Sequence, residues 1–228
     1  MKTNYAGHDD AYRKLRGKPE RSGWNSPEEL ARVLAILDAI LDWPAFPKAG
    51  RLLELGCGAG NVAIHLTGRG WEVHGVDISA AAVEWARENA VTAGATCSFE
   101  VADVLVLQGC TPASFDVLLD GHCLHCIIGD DRQKFFAAAQ RVLKPDGLLC
   151  VRTMCNAVPA GVATKIGYDP ATGICSHNGV ATRYIGPAEA IQREVADAGF
   201  ELLQLEVVPS NGPDDMDELL LLARMAVS

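Results

Sequence analysis

The sequence predicts an α/β fold in which a mostly parallel sheet carries helices on both faces. Three observations point there. From Arg51 onward, short apolar runs alternate with stretches of helical spacing, the pattern of parallel strands joined by crossover helices. The first run, 51–56, leads straight into a glycine-rich turn, Gly56-Cys57-Gly58-Ala59-Gly60. Two further strand-like runs, 200–208 and 218–226, follow one another with only an acidic turn between them.

Taken in order, residues 1–25 read as polar and irregular, with Tyr5, His8, Tyr12 and Trp24 interspersed. Arg13, Lys14, Arg16, Lys18 and Arg21 form a mild basic cluster that reads as a solvated face. Ser26-Pro27-Glu28-Glu29 announces a helix: Ser26 caps, Pro27 suits the first turn and Glu29 completes a capping box. Leu30, Val33, Leu34, Leu37 and Leu41 then give it one buried stripe. Trp43-Pro44 through Pro47 stops it. Residues 1–47 are thus expected to form a helical cover on a single domain spanning 1–228. Strands are expected at 51–56, 73–77, 97–102, 115–120 and 147–154, and helices at 60–69, 79–93, 122–127 and 131–143. Between 156 and 185 the pattern loosens, with Gly and Pro throughout. This reads as an insertion beside the site, expected to act as a lid. A helix over 187–198, closed by Gly199, precedes the last two strands.

The 228 residues carry a net charge of −9, which opposes docking to nucleic acid or anionic lipid. No apolar stretch is long enough to cross a bilayer, and the residues after Met1 lack the apolar core of a signal peptide. Several of the eight cysteines sit inside apolar runs, where a thiol behaves as a small hydrophobe. These features predict a cytoplasmic protein with reduced thiols and no nucleic-acid or membrane partner. They do not choose between monomer and dimer.

Glycines directly after a strand let backbone approach a ligand closely, with the next helix presenting free N–H groups to it. Asp77 ends the following strand, where a carboxylate can accept from both hydroxyls of a ribose. Two cofactors suit this arrangement. Gly58-Ala59-Gly60-Asn61-Val62-Ala63 matches the looser dinucleotide fingerprint G-x-G-x-x-A, so an NAD(P)-binding oxidoreductase is one reading. Glu54 favours the other: a carboxylate is unwelcome beside a pyrophosphate but favourable near the ammonium and sulfonium of S-adenosylmethionine. Asp103, at the end of the next strand, is placed to bond an adenine amino group, with Val104 packing on the ring. An isolated Asp there is otherwise a turn cap.

The segment Leu53-Glu54-Leu55-Gly56-Cys57-Gly58-Ala59-Gly60 resembles motif I of the class I S-adenosylmethionine-dependent methyltransferases. Asp77 and Asp103 fall where that family's ribose- and adenine-binding acids fall. Residues 115–120, Phe-Asp-Val-Leu-Leu-Asp, resemble its fourth-strand motif, and Arg141-Val142-Leu143-Lys144-Pro145-Asp146-Gly147 resembles its turn before strand five, with Asp146 in place of a glycine. The resemblance implies a Rossmann-like three-layer sandwich, a seven-stranded sheet in the order 3-2-1-4-5-7-6 with strand 7 antiparallel. It also implies cofactor contacts from Glu54, Gly56, Gly58, Gly60, Asn61, Asp77, Ile78, Asp103, Val104, Asp120 and Gly121. Tyr12 and Trp24 are candidate aromatic covers, with cation–π attraction to the sulfonium as the motive.

Methyl transfer from a sulfonium needs alignment, a dry pocket and, for a protonated nucleophile, a base. His122 and His125 follow strand four, three residues apart and so on one face of a helical turn. They are the candidate base or substrate-orienting pair; packing of the short helix is the plainer role. Arg152, Met154, Lys165, Tyr168, His177, Arg183 and Tyr184 are softer pocket candidates. Cys123 and Cys126 form a C-x-x-C, with Cys155, Cys175 and His177 farther on, but the spacing is no standard metal set, and no metal is expected. The acidic chain and modest length favour a small-molecule acceptor reacting at O, N or S. A protein, RNA, thiol or metalloid acceptor is the alternative, as is a domain that only binds the cofactor.

Overall fold

The computed structural model describes residues 2–18, 20–213 and 215–226. Its strands are β1 (Arg51–Leu55), β2 (Glu72–Asp77), β3 (Ser98–Val101), β4 (Phe115–Asp120), β5 (Leu143–Cys155), three short strands β6 (Tyr168–Asp169), β7 (Ile174–His177) and β8 (Val180–Tyr184), then β9 (Phe200–Val208) and β10 (Asp217–Met225). The helices are α1 (Gly7–Arg16), α2 (Pro27–Leu41), α3 (Asn61–Thr67), α4 (Ala80–Ala93), α5 (Asp131–Val142), α6 (Ala160–Ile166) and α7 (Ala188–Asp197). The main sheet runs β3-β2-β1-β4-β5-β10-β9. β10 is antiparallel to both of its neighbours, and the other pairings are parallel. This is the strand order expected from the sequence.

Leu52, Leu53 and Leu55 are all fully buried, because a central parallel strand is covered on both faces. Leu52 packs with Ile40 of α2, Leu66 of α3 and Ala86 of α4. Leu53 and Leu55 join the opposite core, with Phe135 of α5 and Ile191 and Val195 of α7. The α2 capping box forms: Glu29 N donates to Ser26 Oγ at 3.2 Å, and Ser26 N donates to Glu29 Oε2 at 2.7 Å.

Four local readings change. First, the segment 1–25 contains a helix, α1. Only Tyr12 in it is buried, with Leu15 packed partly beside it, so it lacks an apolar stripe. Polar contacts attach it instead. Asp9 Oδ1 accepts from Ser79 Oγ and from Ala81 N, both at 2.9 Å, and Arg16 pairs with Glu84 and Glu88 of α4. Second, the helix expected at 122–127 is a single 3-10 turn, Leu124–Cys126. His122 is left-handed at φ 69°, and Asp120 Oδ1 instead accepts from Cys123 N at 2.7 Å and Leu124 N at 2.9 Å. Third, β5 starts at Leu143, before the Lys144–Gly147 turn. The register slips from Phe115↔Leu143 to Val117↔Leu148, and Asp146 takes φ 62° inside that bulge. Fourth, the loose region 156–185 holds α6 and an antiparallel sheet β6-β7-β8. β8 is tied to the N-terminal segment, Ala181 N donating to Lys2 O at 2.9 Å. In the acidic turn before β10, Asp214 lies outside the described residues.

Candidate active site

The carboxyl ends of β1, β2, β4 and β5 open into one cavity of about 240 Å³, at the place where strand order reverses and such sheets bind ligands. The glycine turn forms its floor. Gly58 N donates to Asp77 Oδ2 at 2.9 Å, and Cys57 N to Val76 O at 2.9 Å, so the turn is clamped to the end of β2. Gly58 has φ 54°, and a Cβ there would meet Tyr12 Oη at 2.5 Å. Gly60 has φ 78°, and its Cβ would strike the Phe99 ring at 2.6 Å and Ala86 at 2.9 Å. Gly60 therefore serves helix–sheet packing. It does not line the cavity, whereas every other cofactor-site residue expected from the sequence does.

Three carboxylates are buried here: Glu54, Asp77 and Asp120. Burial pushes Glu54 up to about 8, against the Ala63 backbone N–H, and the neighbouring Asp77 raises it further. Asp77 is also raised by burial, opposed by the N–H groups of Ser79 and Gly58 that it accepts from. Burial takes Asp120 to about 7 against the Cys123 and Leu124 N–H groups. Glu54 Oε2 and Asp120 Oδ2 have no hydrogen-bond partner. Asp103 caps its own turn, accepting from Leu105 N at 2.9 Å, while also lining the cavity.

The N-terminal segment roofs this end. Tyr12 and Trp24 lie with ring centroids 5.4 Å apart. Asn61 Nδ2 donates to Ser22 O at 3.1 Å, tying the roof to the start of α3. Tyr5 Oη donates to Asp131 at 3.0 Å and accepts from Ile128 N at 3.2 Å, joining the roof to the segment after β4.

The other end is basic and aromatic. His122 and His125 meet edge-on, 4.5 Å between centroids, even though His122 stands outside the 3-10 turn. Burial and nearby cations hold both imidazoles down, His125 to about 3. His122 Nε2 and His125 Nδ1 are buried without partners. Arg152, Met154 and Arg183 line this end; Lys165, Tyr168, His177 and Tyr184 do not. Cys123 and Cys126 reach the cavity, whereas Cys155 and Cys175 are buried away from it. Among the described residues, no group of three or more His, Cys, Asp or Glu has metal-binding geometry.

Three residues important to this geometry escaped the sequence reading. Asp9 docks the roof onto α4. Arg132 fixes the 3-10 turn, donating to Leu124 O at 2.8 Å and Ile127 O at 3.2 Å while pairing with Glu194. Glu218 holds Arg152 through bonds of 2.7 and 2.6 Å and stands 3.7 Å from His122 Nε2. None belongs to a local motif, since each partner set is brought together only by the fold.

A family model described as a methyltransferase domain matches residues 53–151. The chain is 27% identical over 188 residues to a ubiquinone biosynthesis O-methyltransferase of Thiobacillus denitrificans, covering 80% of this chain and 79% of that one. It is 35% identical over 117 residues to the S-adenosyl-L-methionine-dependent Diels-Alderase iccD of Talaromyces variabilis, covering 48% of this chain and 38% of that one. The fold matches the crystal structure of 1,6-didemethyltoxoflavin-N1-methyltransferase from Burkholderia thailandensis, with TM-score 0.70 at 21% identity over 98% of this chain and 87% of that one. That structure has 1,6-didemethyltoxoflavin and S-adenosylhomocysteine bound.

Over residues 53–151 the chain thus matches a methyltransferase domain, and S-adenosylmethionine is the cofactor that the resemblance of its motifs to the class I methyltransferases implies. The residues present fit that group. Two unpartnered, buried carboxylate oxygens suit a ligand bearing ammonium and sulfonium charge. They would oppose a pyrophosphate, which argues against the dinucleotide reading of the same glycine turn.

Proposed function

We propose that the protein transfers the methyl group of S-adenosylmethionine to a small-molecule acceptor. The observation that carries this reading is the two-ended cavity. Buried carboxylates occupy one end, histidines and arginines the other, and the cavity under the α1–Trp24 roof, about 240 Å³, is of small-molecule scale. The ubiquinone and toxoflavin methyltransferases named above act on small molecules, which supports the same acceptor class.

When bound, the cofactor supplies a methyl already activated on sulfur, so the protein's task is alignment and exclusion of water. In this reading Glu54, Asp120 and Gly121 border the cationic end, Asp77 and Ile78 the ribose, and Asp103 with Val104 the adenine. Asp77 keeps a lone pair free on each oxygen beyond its backbone bonds. Tyr12 and Trp24 keep water out. His122 and His125, both neutral, orient the acceptor or take its proton. The β6–β8 sheet acts as the lid over the acceptor.

Methyl-labelled cofactor added to a lysate tests the acceptor class. Label is expected in the small-molecule fraction; label in protein or RNA would overturn it. Calorimetric titration with S-adenosylmethionine, S-adenosylhomocysteine and NAD tests the cofactor, and binding of NAD alone would remove the reading. The likeness to a Diels-Alderase gives a second reading, in which the cofactor is held but not consumed. Tight S-adenosylmethionine binding without any label transfer would favour it.

A further inference from the structure

Arg183 stands apart from the other arginines. Among the described residues, each of the rest pairs with a carboxylate or a backbone carbonyl, except the exposed Arg193. Arg183 is half-buried on β8 and pairs with neither, and its Nε is buried without a partner. It lines the acceptor end of the cavity beside His122, His125 and Cys126. A guanidinium is permanently charged and offers five N–H donors, so a buried Nε–H left without an acceptor is costly. Such a cost is retained where a ligand will meet it.

The charge balance at this end narrows the ligand. Arg152, the other guanidinium there, is already neutralised by Glu218 at 2.6 Å. His122 and His125 contribute two unpartnered ring nitrogens but no negative charge. One positive charge is therefore uncompensated. The buried Glu54, Asp77 and Asp120 line the same cavity and add no positive charge to it.

We infer that the acceptor carries a single carboxylate, which Arg183 engages while His122 and His125 stand at the reacting atom. This rests on the methyltransferase reading and names the substrate class of the same site. A planar carboxylate matches the guanidinium fork in charge and geometry. A phosphate monoester carries roughly −1.5 to −2 at neutral pH, more than one free guanidinium offsets. The pairing also removes the charge that, after burial itself, most depresses His125. A proton acceptor then becomes more basic only when the acceptor is in place.

The test begins with S-adenosylhomocysteine binding by the wild-type protein, followed by ligand-observed NMR on the loaded form. The probes are matched triplets: small aromatic and aliphatic acids, their primary amides, and phosphate monoesters of the same skeletons. Acids are expected to bind about tenfold or more tightly than their amides. Arg183→Gln should remove that preference, and Arg183→Lys should keep part of it. Because the guanidinium has no partner to lose, Arg183→Gln should not lower the melting temperature or the S-adenosylhomocysteine affinity. Hits shared equally with amides, hits led by phosphate esters, an absence of acid hits, or acid binding unmoved in Arg183→Gln would each overturn the inference. These leave the cofactor reading intact. Failure of the wild-type protein to bind S-adenosylhomocysteine would instead take down that reading, and this inference with it. The wild-type acid-to-amide comparison stands even if a variant misfolds.

Discussion

Glu54 shows how one residue trades stability for binding. Its carboxyl group titrates at about 8 in the fold, against 4.5 for an ordinary glutamate. An acid whose folded value is raised contributes fully below its unfolded value and loses that contribution as pH rises to the folded one. Here the window is pH 4.5 to 8. Glu54→Gln should therefore raise the melting temperature at pH 8 and change it little near pH 4.5, while weakening S-adenosylmethionine binding. Thermal melts at the two pH values check this; equal shifts at both would show that ionisation is not the source. The histidines carry the opposite dependence. His125 is held at about 3 by burial and by Arg183, so stability is lost as pH falls from 6.5 toward 3, where the unfolded chain takes up a proton that the fold does not. If one of the pair takes the acceptor's proton, its Gln variant should lose about 10²–10⁴ in kcat with unchanged S-adenosylhomocysteine affinity. Near-wild-type turnover in both His122→Gln and His125→Gln would eliminate that role.

At the scale of elements, α1 is the part most dependent on single contacts. Asp9 supplies the N-terminal turn of α4 with an acceptor for Ala81 N, and binds Ser79 Oγ as well. Losing such a cap costs about 1 kcal/mol, and here the lost anchor also frees the roof. Asp9→Ala should give faster proteolysis within residues 2–25 and weaker S-adenosylhomocysteine binding by calorimetry. Unchanged cleavage would mean that Tyr12 and Arg16 suffice to hold α1. Gly60→Ala acts through packing: the new Cβ meets Phe99 and Ala86 at a backbone φ of 78°. A loss of about 1–3 kcal/mol is expected from chemical denaturation, with the cavity lining itself untouched.

These two elements also mark what a sequence reveals. β1, β2 and β4 were legible because strands buried on both faces read as apolar runs, and because turn chemistry punctuates them. Glu54 and Asp77 stood out as carboxylates within or at the end of such strands, and Asp103 as one just beyond β3. α1 was not, since its attachment is polar and Asp9 finds Ser79 at a separation of 70 residues. Glu218 meets Arg152 across 66 residues and was invisible for the same reason. The turn at His122 was read as helix because its left-handed conformation follows from the Asp120 side chain, which no periodicity encodes. β6 to β8 are short and only partly buried, so their pattern resembled loop.

Across the whole molecule, the two covers of the cavity are physically joined. The roof descends from residues 2–25, and the acceptor wall carrying Arg183 belongs to β8. The backbone links them directly: Thr3 bridges Ala181, and Ala181 N donates to Lys2 O at 2.9 Å. Tyr5 then connects the same segment to Ile128 and Asp131 beyond the histidines. A ligand that orders the roof over the cofactor should therefore order the acceptor wall as well, because local opening proceeds in contiguous cooperative units. Hydrogen exchange followed by mass spectrometry tests this coupling. S-adenosylhomocysteine is expected to slow exchange in α1 and in β7–β8 together, although β7–β8 borders the acceptor end. Lys2 takes part through its backbone carbonyl, so side-chain substitutions leave the link intact and removal of residues 1–4 is the informative variant. In that variant α1 should still gain protection, anchored by Asp9 and Tyr12, while β7–β8 should gain less. Equal protection of β7–β8 with and without residues 1–4 would show that the two covers respond independently, and that cofactor binding does not prepare the acceptor wall.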